Sequence, residues 1–243
     1  MLETHTIFDE DTTGFKKPVA YRVTDIKEAV RDKNRVNIFI NDKYFCSLDI
    51  SQVVDLHIKI GRELSDEELD SLKRASDFGK FYARALEYAL MRPRSKKEIK
   101  DYLKRKTLDR KVRIKNQKTG EYQTKVKQGY DESLIEPVLQ RLTERGYVDD
   151  YRFATTWAEN RNASKGTSVK KLRLELQQKG ISSQIIDEVL ADSGRNDREE
   201  LRKVISRKAK KYPDEQKLIQ YLMRQGFNYS DISEELSIES SSV

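Results

Sequence analysis

Three stretches of this chain read alike, and that internal repetition decides what it can fold into. Ser95-Lys-Lys-Glu-Ile-Lys-Asp-Tyr-Leu aligns with Ser168-Val-Lys-Lys-Leu-Arg-Leu-Glu-Leu, and both align with Asp214-Glu-Gln-Lys-Leu-Ile-Gln-Tyr-Leu. Each opens with a residue whose side chain accepts from the free N–H groups of a helix's first turn. Each sets apolar residues four apart, at Ile99 and Leu103, Leu172 and Leu176, Leu218 and Leu222, which is one face of an α-helix. Two of the copies end in glycine, Gly180 and Gly226, where a chain leaving a helix adopts a left-handed conformation. The first copy lacks that glycine and runs into a basic stretch. A helical pattern precedes each copy, at Phe81 to Met91, Tyr151 to Asn162 and Arg198 to Lys211. Another follows, at Glu132 to Arg145, Ser183 to Ala191 and Tyr229 to Leu236. The unit is three short helices, and it occurs three times.

Composition agrees with thin cores in a row. Hydrophobic residues make up 36% of the 243 and charged residues 37%, which leaves too little apolar surface for one large core. The repeats are unevenly spaced: Ile99 to Leu172 is 73 residues, Leu172 to Leu218 only 46. The surplus matches the basic stretch, which therefore reads as an insertion into the first repeat, at 107–130.

From Lys104 to Lys127 there are ten basic residues and two acids, Asp109 and Glu121; that excess alone exceeds the +7 of the whole chain. A localised cationic element is the footprint of a polyanion partner, with nucleic acid first. Lys111-Val-Arg-Ile-Lys and Glu121-Tyr-Gln-Thr-Lys-Val-Lys alternate, and Lys118-Thr-Gly lies between them, so the insertion is expected to be a β-hairpin. One of its faces is expected to be rich in Arg and Lys over roughly 20 Å, at roughly 3.3 Å per residue. Contacts of this kind hold phosphates and read no base sequence. The candidate contact residues here are Lys104, Arg105, Arg110, Lys111, Arg113, Lys115, Lys118, Lys125 and Lys127.

Ahead of the repeats, the runs from Tyr21, Val36 and Lys43 alternate apolar and polar residues, with Asn41-Asp42 placed for a tight turn. A three-stranded meander is expected over about 20–50. A helix capped by Ser51 then runs to Ile60, stopped by Gly61. Ser65 and Glu68 resemble a capping box for a further helix to about Asp77. The expected segmentation is a flexible tail at 1–19, the β-meander with helices at 20–79, repeats at 80–148, 149–194 and 195–238, and a tail at 239–243.

Enzyme chemistry finds little support. The histidines are His5 and His57, too few for a His-based triad or a His-rich metal site. Lys165-Gly-Thr-Ser lacks the residue order of a P-loop. Asp149 and Asp150 suit a helix N-terminus better than acid–base work, and Cys46 suits a strand core. Tyr88, Trp157 and Tyr221 fit core packing. No cofactor or metal is expected. Arg92 and Arg94 end a helix and read two ways: as charge against the helix dipole, or as contacts to an acidic partner or phosphate. With one cysteine, no basic-then-apolar leader and no apolar run approaching the ~20 residues of a membrane span, the expected setting is cytoplasmic and the expected state a monomer.

The motifs resemble the RecX family. Ala85-Leu-Glu-Tyr-Ala-Leu-Met-Arg-Pro-Arg-Ser, followed by Glu98 and Leu103, is similar to the opening of RecX repeats. So are Arg145-Gly-Tyr-Val-Asp-Asp-Tyr-Arg-Phe-Ala, and Arg161 with Gly166, Leu172, Leu176 and Lys179-Gly-Ile. Gly61, Glu63, Leu64, Ser65, Glu67 and Leu69 resemble the extra N-terminal region of longer members. The basic hairpin departs from the typical pattern. The resemblance implies a mainly α protein whose three tandem three-helix repeats form an elongated curved array. It implies a protein that binds the RecA recombinase filament on DNA and modulates it negatively. Arg152 and Arg161, inside the matched segments, join the candidate contacts. The alternative is a stand-alone DNA-binding protein with helix-turn-helix-like repeats.

Overall fold

A computed structural model describes residues 21–30, 32–116 and 120–241; the expected tail at 1–19, residues 242–243 of the tail expected at 239–243, and Lys118 lie outside them. The chain forms two compact units that divide between Gly79 and Lys80.

The first unit is a twisted antiparallel sheet with helices. Strands β1 (Tyr21–Ala29), β2 (Asp32–Ile40) and β3 (Lys43–Asp49) form the expected meander. A fourth strand adds to it: β4 (Glu63–Leu64) pairs with Tyr21 and Arg22, giving the order β3-β2-β1-β4. Asn41 and Asp42 turn β2 into β3 with φ of 47° and 64°, values that Asn and Asp tolerate. Val23, Ile38 and Leu48 are fully buried, and Cys46 lies among them. Helix α1 (Ile50–Asp55) begins at Asp49, not Ser51, because Asp49 and Gln52 form a reciprocal capping box. It stops at Leu56 and a left-handed His57, short of Gly61.

The two helices expected at 65–77 and 81–91 are one, α2 (Asp66–Leu90). Nothing between Asp77 and Phe81 breaks it. Gly79 costs an exposed helix only about 1 kcal/mol relative to alanine; before it Leu72 and Ser76 are buried on one face, and after it Phe81, Ala85 and Ala89 are buried on another.

The second unit holds the repeats. The first comprises the end of α2, α3 (Lys96–Thr107) and α4 (Ile135–Glu144). The second is α5 (Asp150–Asn160), α6 (Val169–Gln178) and α7 (Ser183–Asp192). The third is α8 (Asp197–Lys208), α9 (Glu215–Arg224) and α10 (Tyr229–Ser241), the last running beyond the expected 236. Ser95, Ser168 and Asp214 cap the middle helices, as their spacing predicts. Ile99, Leu103, Leu172, Leu176, Leu218 and Leu222 are all buried in their repeats. Gly180 and Gly226 take φ of 80° and 96°.

One device joins each repeat to the next, and it occurs twice. Ser95 Oγ accepts from Glu98 N–H at 3.2 Å and donates to the Lys179 carbonyl at 2.7 Å, tying the start of α3 to the end of α6. Ser168 Oγ accepts from Lys171 N–H at 3.2 Å and donates to the Gln225 carbonyl at 2.6 Å, tying α6 to α9. An aspartate completes each joint. Asp149 caps its own helix, accepting from Tyr151 and Arg152, while Asp150 accepts from Lys96 N–H at 2.8 Å. Asn196 likewise caps α8, and Asp197 accepts from Val169 N–H at 2.7 Å. The paired residues at the starts of α5 and α8 therefore divide the work: the first caps the start of its own helix, the second the start of a helix of the preceding repeat. Burial, ahead of any other cause, raises the carboxyl pKa of both Asp150 and Asp197.

Candidate nucleic-acid interface

Between α3 and α4 the chain leaves the repeat as a two-stranded hairpin, β5 (Arg110–Lys115) and β6 (Tyr122–Lys127). A lone hairpin in water is marginal, so its base is where it is held. Asp109 accepts from Gly129 N–H at 2.9 Å, and Tyr130 N–H donates to the Lys106 carbonyl at 3.1 Å. The Tyr130 ring stacks on Phe81, centroids 4.5 Å apart. Gly129 passes so close to α3 that a Cβ there would lie 1.8 Å from the Thr107 carbonyl oxygen.

The expected single basic face does not form. Lys111, Val112, Arg113, Ile114 and Lys115 face Val126, Lys125, Thr124, Gln123 and Tyr122 across the ladder, and opposed residues share a face. Lys111, Arg113 and Lys115 therefore stand beside Val126, Thr124 and Tyr122. Arg110, Lys125 and Lys127 stand on the other face with Val112 and Ile114. The lysines of the two strands fall in opposite phase, so each face pairs a cationic row with an apolar one. Both faces meet solvent: Ile114 is 45% exposed, Tyr122 65% and Val126 64%. Arg113 lies over the Tyr122 ring at 5.9 Å. Cations alternating with exposed apolar and aromatic groups are what single-stranded or grooved nucleic acid takes, phosphate to cation and base or sugar to the flat groups.

Lys104 and Arg105, on the last turn of α3, extend this surface. Among the described residues no carboxylate forms a salt bridge with Lys104, Arg105 or the six hairpin cations. Lys106 shows the field at the base. Burial first, then the charges of Arg110, Arg84, Arg105 and Lys127, hold its ammonium below the ordinary lysine value. Arg84 belongs to this cluster and escapes sequence reasoning, because it lies on α2, twenty residues before the basic run; nothing local in the sequence marks it.

The remaining candidates are engaged within the protein. Arg92 pairs with Glu98 at 3.1 Å. Arg94 lies 3.4 Å over the Tyr88 ring and donates from Nε to the Tyr88 carbonyl at 2.7 Å, so its guanidinium staples the end of α2. Arg152 is exposed, with a long contact to the Gly146 carbonyl at 3.3 Å. Arg161 grips Glu175 with both nitrogens, at 2.8 and 3.1 Å. Tyr88, Trp157 and Tyr221 are half-buried, each with a cation over its ring: Arg94, Arg161 and Lys208. Among the described residues no three His, Cys, Asp or Glu side chains stand close enough to hold a metal ion, and no helix is long and apolar enough to cross a membrane.

Known proteins resemble this chain along most of its length. Residues 21–65 match the model of the regulatory protein RecX N-terminal domain, 149–190 that of the RecX second three-helix domain, and 196–236 that of the third. Regulatory protein RecX of Bacillus licheniformis is 29% identical over 218 residues, 87% of this chain and 74% of that protein. Its counterpart in Clostridium tetani is 28% identical over 225 residues, 89% of this chain and 93% of that one. A crystal structure of regulatory protein RecX covers 88% of this chain and 97% of its own with a TM-score of 0.68 at 22% identity, which shows a shared fold.

Proposed function

The chain belongs to the RecX family of regulatory proteins, and from that premise we propose that it binds the RecA filament on DNA and restrains the recombinase. The helical repeats lie along the filament and impede its extension or its ATP turnover, and the basic hairpin touches the DNA within it. The chain acts as a monomer in the cytoplasm and without a catalytic step of its own.

The hairpin carries this reading. It projects six described cations with no carboxylate to neutralise them, and it has no core of its own to justify its apolar rows. Such an element has its free energy to gain from a polyanion. Each phosphate neutralised contributes about 0.9 to the salt slope on duplex DNA and about 0.7 on single strands.

The experiment is RecA-dependent ATP hydrolysis on single-stranded DNA, titrated with the full chain at sub-stoichiometric amounts and with a chain lacking residues 110–127. The full chain is expected to lower the rate. The deletion is expected to bind DNA more weakly and with a shallower salt dependence. No effect of the full chain at any ratio removes the recombinase reading. Unchanged DNA affinity and slope in the deletion remove the hairpin's role.

A further inference from the structure

The two joints between repeats have the same backbone and opposite electrostatics. Corresponding positions follow from the shared hydrogen bonds: Ser95 with Ser168, Lys179 with Gln225, Asp150 with Asp197. Counting from these, Glu98 corresponds to Lys171, Arg161 to Lys208, Glu175 to Tyr221 and Asn160 to Arg207.

At the first joint each of these cations has a carboxylate partner: Glu98 is paired with Lys179 at 2.7 Å and with Arg92 at 3.1 Å, and Arg161 with Glu175 at 2.8 Å. At the second joint both carboxylates are gone. Lys171 meets only the neutral side-chain amide of Gln225, and Lys208 lies over the Tyr221 ring at 5.7 Å. Arg207 stands where the first joint has Asn160, and its guanidinium donates to the Lys165 carbonyl at 3.1 Å. Among the described residues none of Lys165, Lys171, Arg207 and Lys208 has a salt bridge. Glu175 feels the charge of Lys171, but Arg161 holds both its oxygens.

These four cations line one cavity of about 210 Å³ with Thr167 and Tyr221, and no acidic residue lines it. Its size is below that of sites for drug-sized ligands, and suits a single phosphate group. Its lip is the loop after α5, turned by Asn162, which donates to the Thr167 hydroxyl at 2.9 Å. Like charges converging on a concave, partly desolvated site repel one another until an anion enters.

We propose that this cavity, at the joint of the second and third repeats, binds a phosphate of a polynucleotide backbone. It is a second nucleic-acid contact, on a different repeat from the hairpin, and it does not depend on the hairpin's role. Guanidinium and ammonium groups surround the phosphodiester, and the Tyr221 ring offers a face to the adjoining sugar or base. The first joint is the internal control, because the same architecture there pairs its cations with carboxylates.

The test uses the full chain and a mixed-sequence single-stranded oligodeoxynucleotide, with affinity measured across a salt series. The background carries Lys111→Gln, Arg113→Gln and Lys125→Gln, so that hairpin and cavity are read separately. Lys165→Gln with Lys208→Gln is expected to reduce the salt slope by about 0.7, for the one phosphate no longer neutralised. Tyr221→Glu puts back the carboxylate of the first joint. It is expected to abolish the same contribution, since Lys208 gains a partner within the chain. An unchanged slope in both variants, with folded circular dichroism, overturns the inference. So does binding of inorganic phosphate at constant ionic strength that the lysine variants abolish without any change in oligonucleotide affinity, which assigns the cavity to free phosphate.

Discussion

Ser168→Ala removes two bonds with one oxygen. The Ser168 side chain is fully buried, accepting from Lys171 N–H at 3.2 Å and donating to the Gln225 carbonyl at 2.6 Å. Loss of the cap costs about 1 kcal/mol. Loss of the second bond costs about 1 kcal/mol net and more if the Gln225 carbonyl finds no water, so the total comes to about 2–3 kcal/mol. Spread over a unit of this size, that lowers the thermal midpoint by roughly 5–10 °C. Location matters more than size, because each repeat touches only its neighbours. Followed by hydrogen exchange, Ser168→Ala should lower the protection of Leu218 and Leu222 and leave that of Ile99 and Leu103 nearly unchanged. Ser95→Ala should do the reverse. Asp197→Ala, which frees Val169 N–H at the same joint, should couple to Ser168→Ala by more than about 0.5 kcal/mol in a double-mutant cycle, whereas Asp150→Ala should add to it. A loss below about 0.5 kcal/mol, or equal loss of protection in all three repeats, refutes the picture of two separate joints.

Glu98 has its pKa pushed up by burial and pulled down further by hydrogen bonds from Arg92 and Lys179, so it ends below the usual 4.5. Its contribution is therefore present above pH 4.5 and lost as pH falls through the lower folded value; the urea-midpoint difference between Glu98→Gln and the parent should be full at pH 7 and vanish in acid, and a difference that grows on acidification contradicts the assignment. Asp150, raised by burial, has the opposite sign: its charge costs stability as pH rises through the folded value. Asp150→Asn keeps the acceptor for Lys96 and should match or exceed the parent at pH 7, while Asp150→Ala should lose about 1 kcal/mol. Arg94→Ala should destabilise the chain by about 1–2 kcal/mol through the Tyr88 ring and carbonyl, with the DNA salt slope unchanged. Gly129→Ala should disorder the hairpin base, read as loss of the Gly129 and Tyr130 amide protection and of DNA affinity together, since the added Cβ meets the Thr107 carbonyl.

The repeats were legible because a capping residue and apolar residues four apart coincide at each copy, and a terminal glycine follows in two of them. Ser95, Ser168 and Asp214 behave as their spacing predicts. What local reading misses depends on partners distant in sequence. Strand β4 is two residues long and exists only because Tyr21 and Arg22 lie beside it. The sequence marks both Asp149 and Asp150 as caps, but which helix each one caps depends on the fold, 54 residues away for Asp150. Arg92, Arg94 and Arg161 look the same in sequence as the hairpin cations, yet Glu98, Tyr88 and Glu175 hold them. Free charge is a property of the surroundings, so basic residues counted along a sequence overstate the surface available to a partner.

A repeated fold turns that difficulty into a measurement. When the same joint is built twice, whatever both copies share is needed for the joint: the serine, the aspartate and the tight turn after the middle helix. What differs is free of that need. The first joint shows that Glu98 and Glu175 suffice to pair Arg92, Lys179 and Arg161. The second replaces them with Lys171 and Tyr221 and adds Arg207, at a cost in repulsion that the architecture does not require. A domain optimised only for stability would keep the pairs in both places, since a half-buried cation with no partner destabilises by its lost solvation and by its neighbours' charge. The imbalance therefore points outward, to an anion supplied by another molecule. It lies on a different repeat from the hairpin, so one polynucleotide held by both would also be held in a defined direction along the chain.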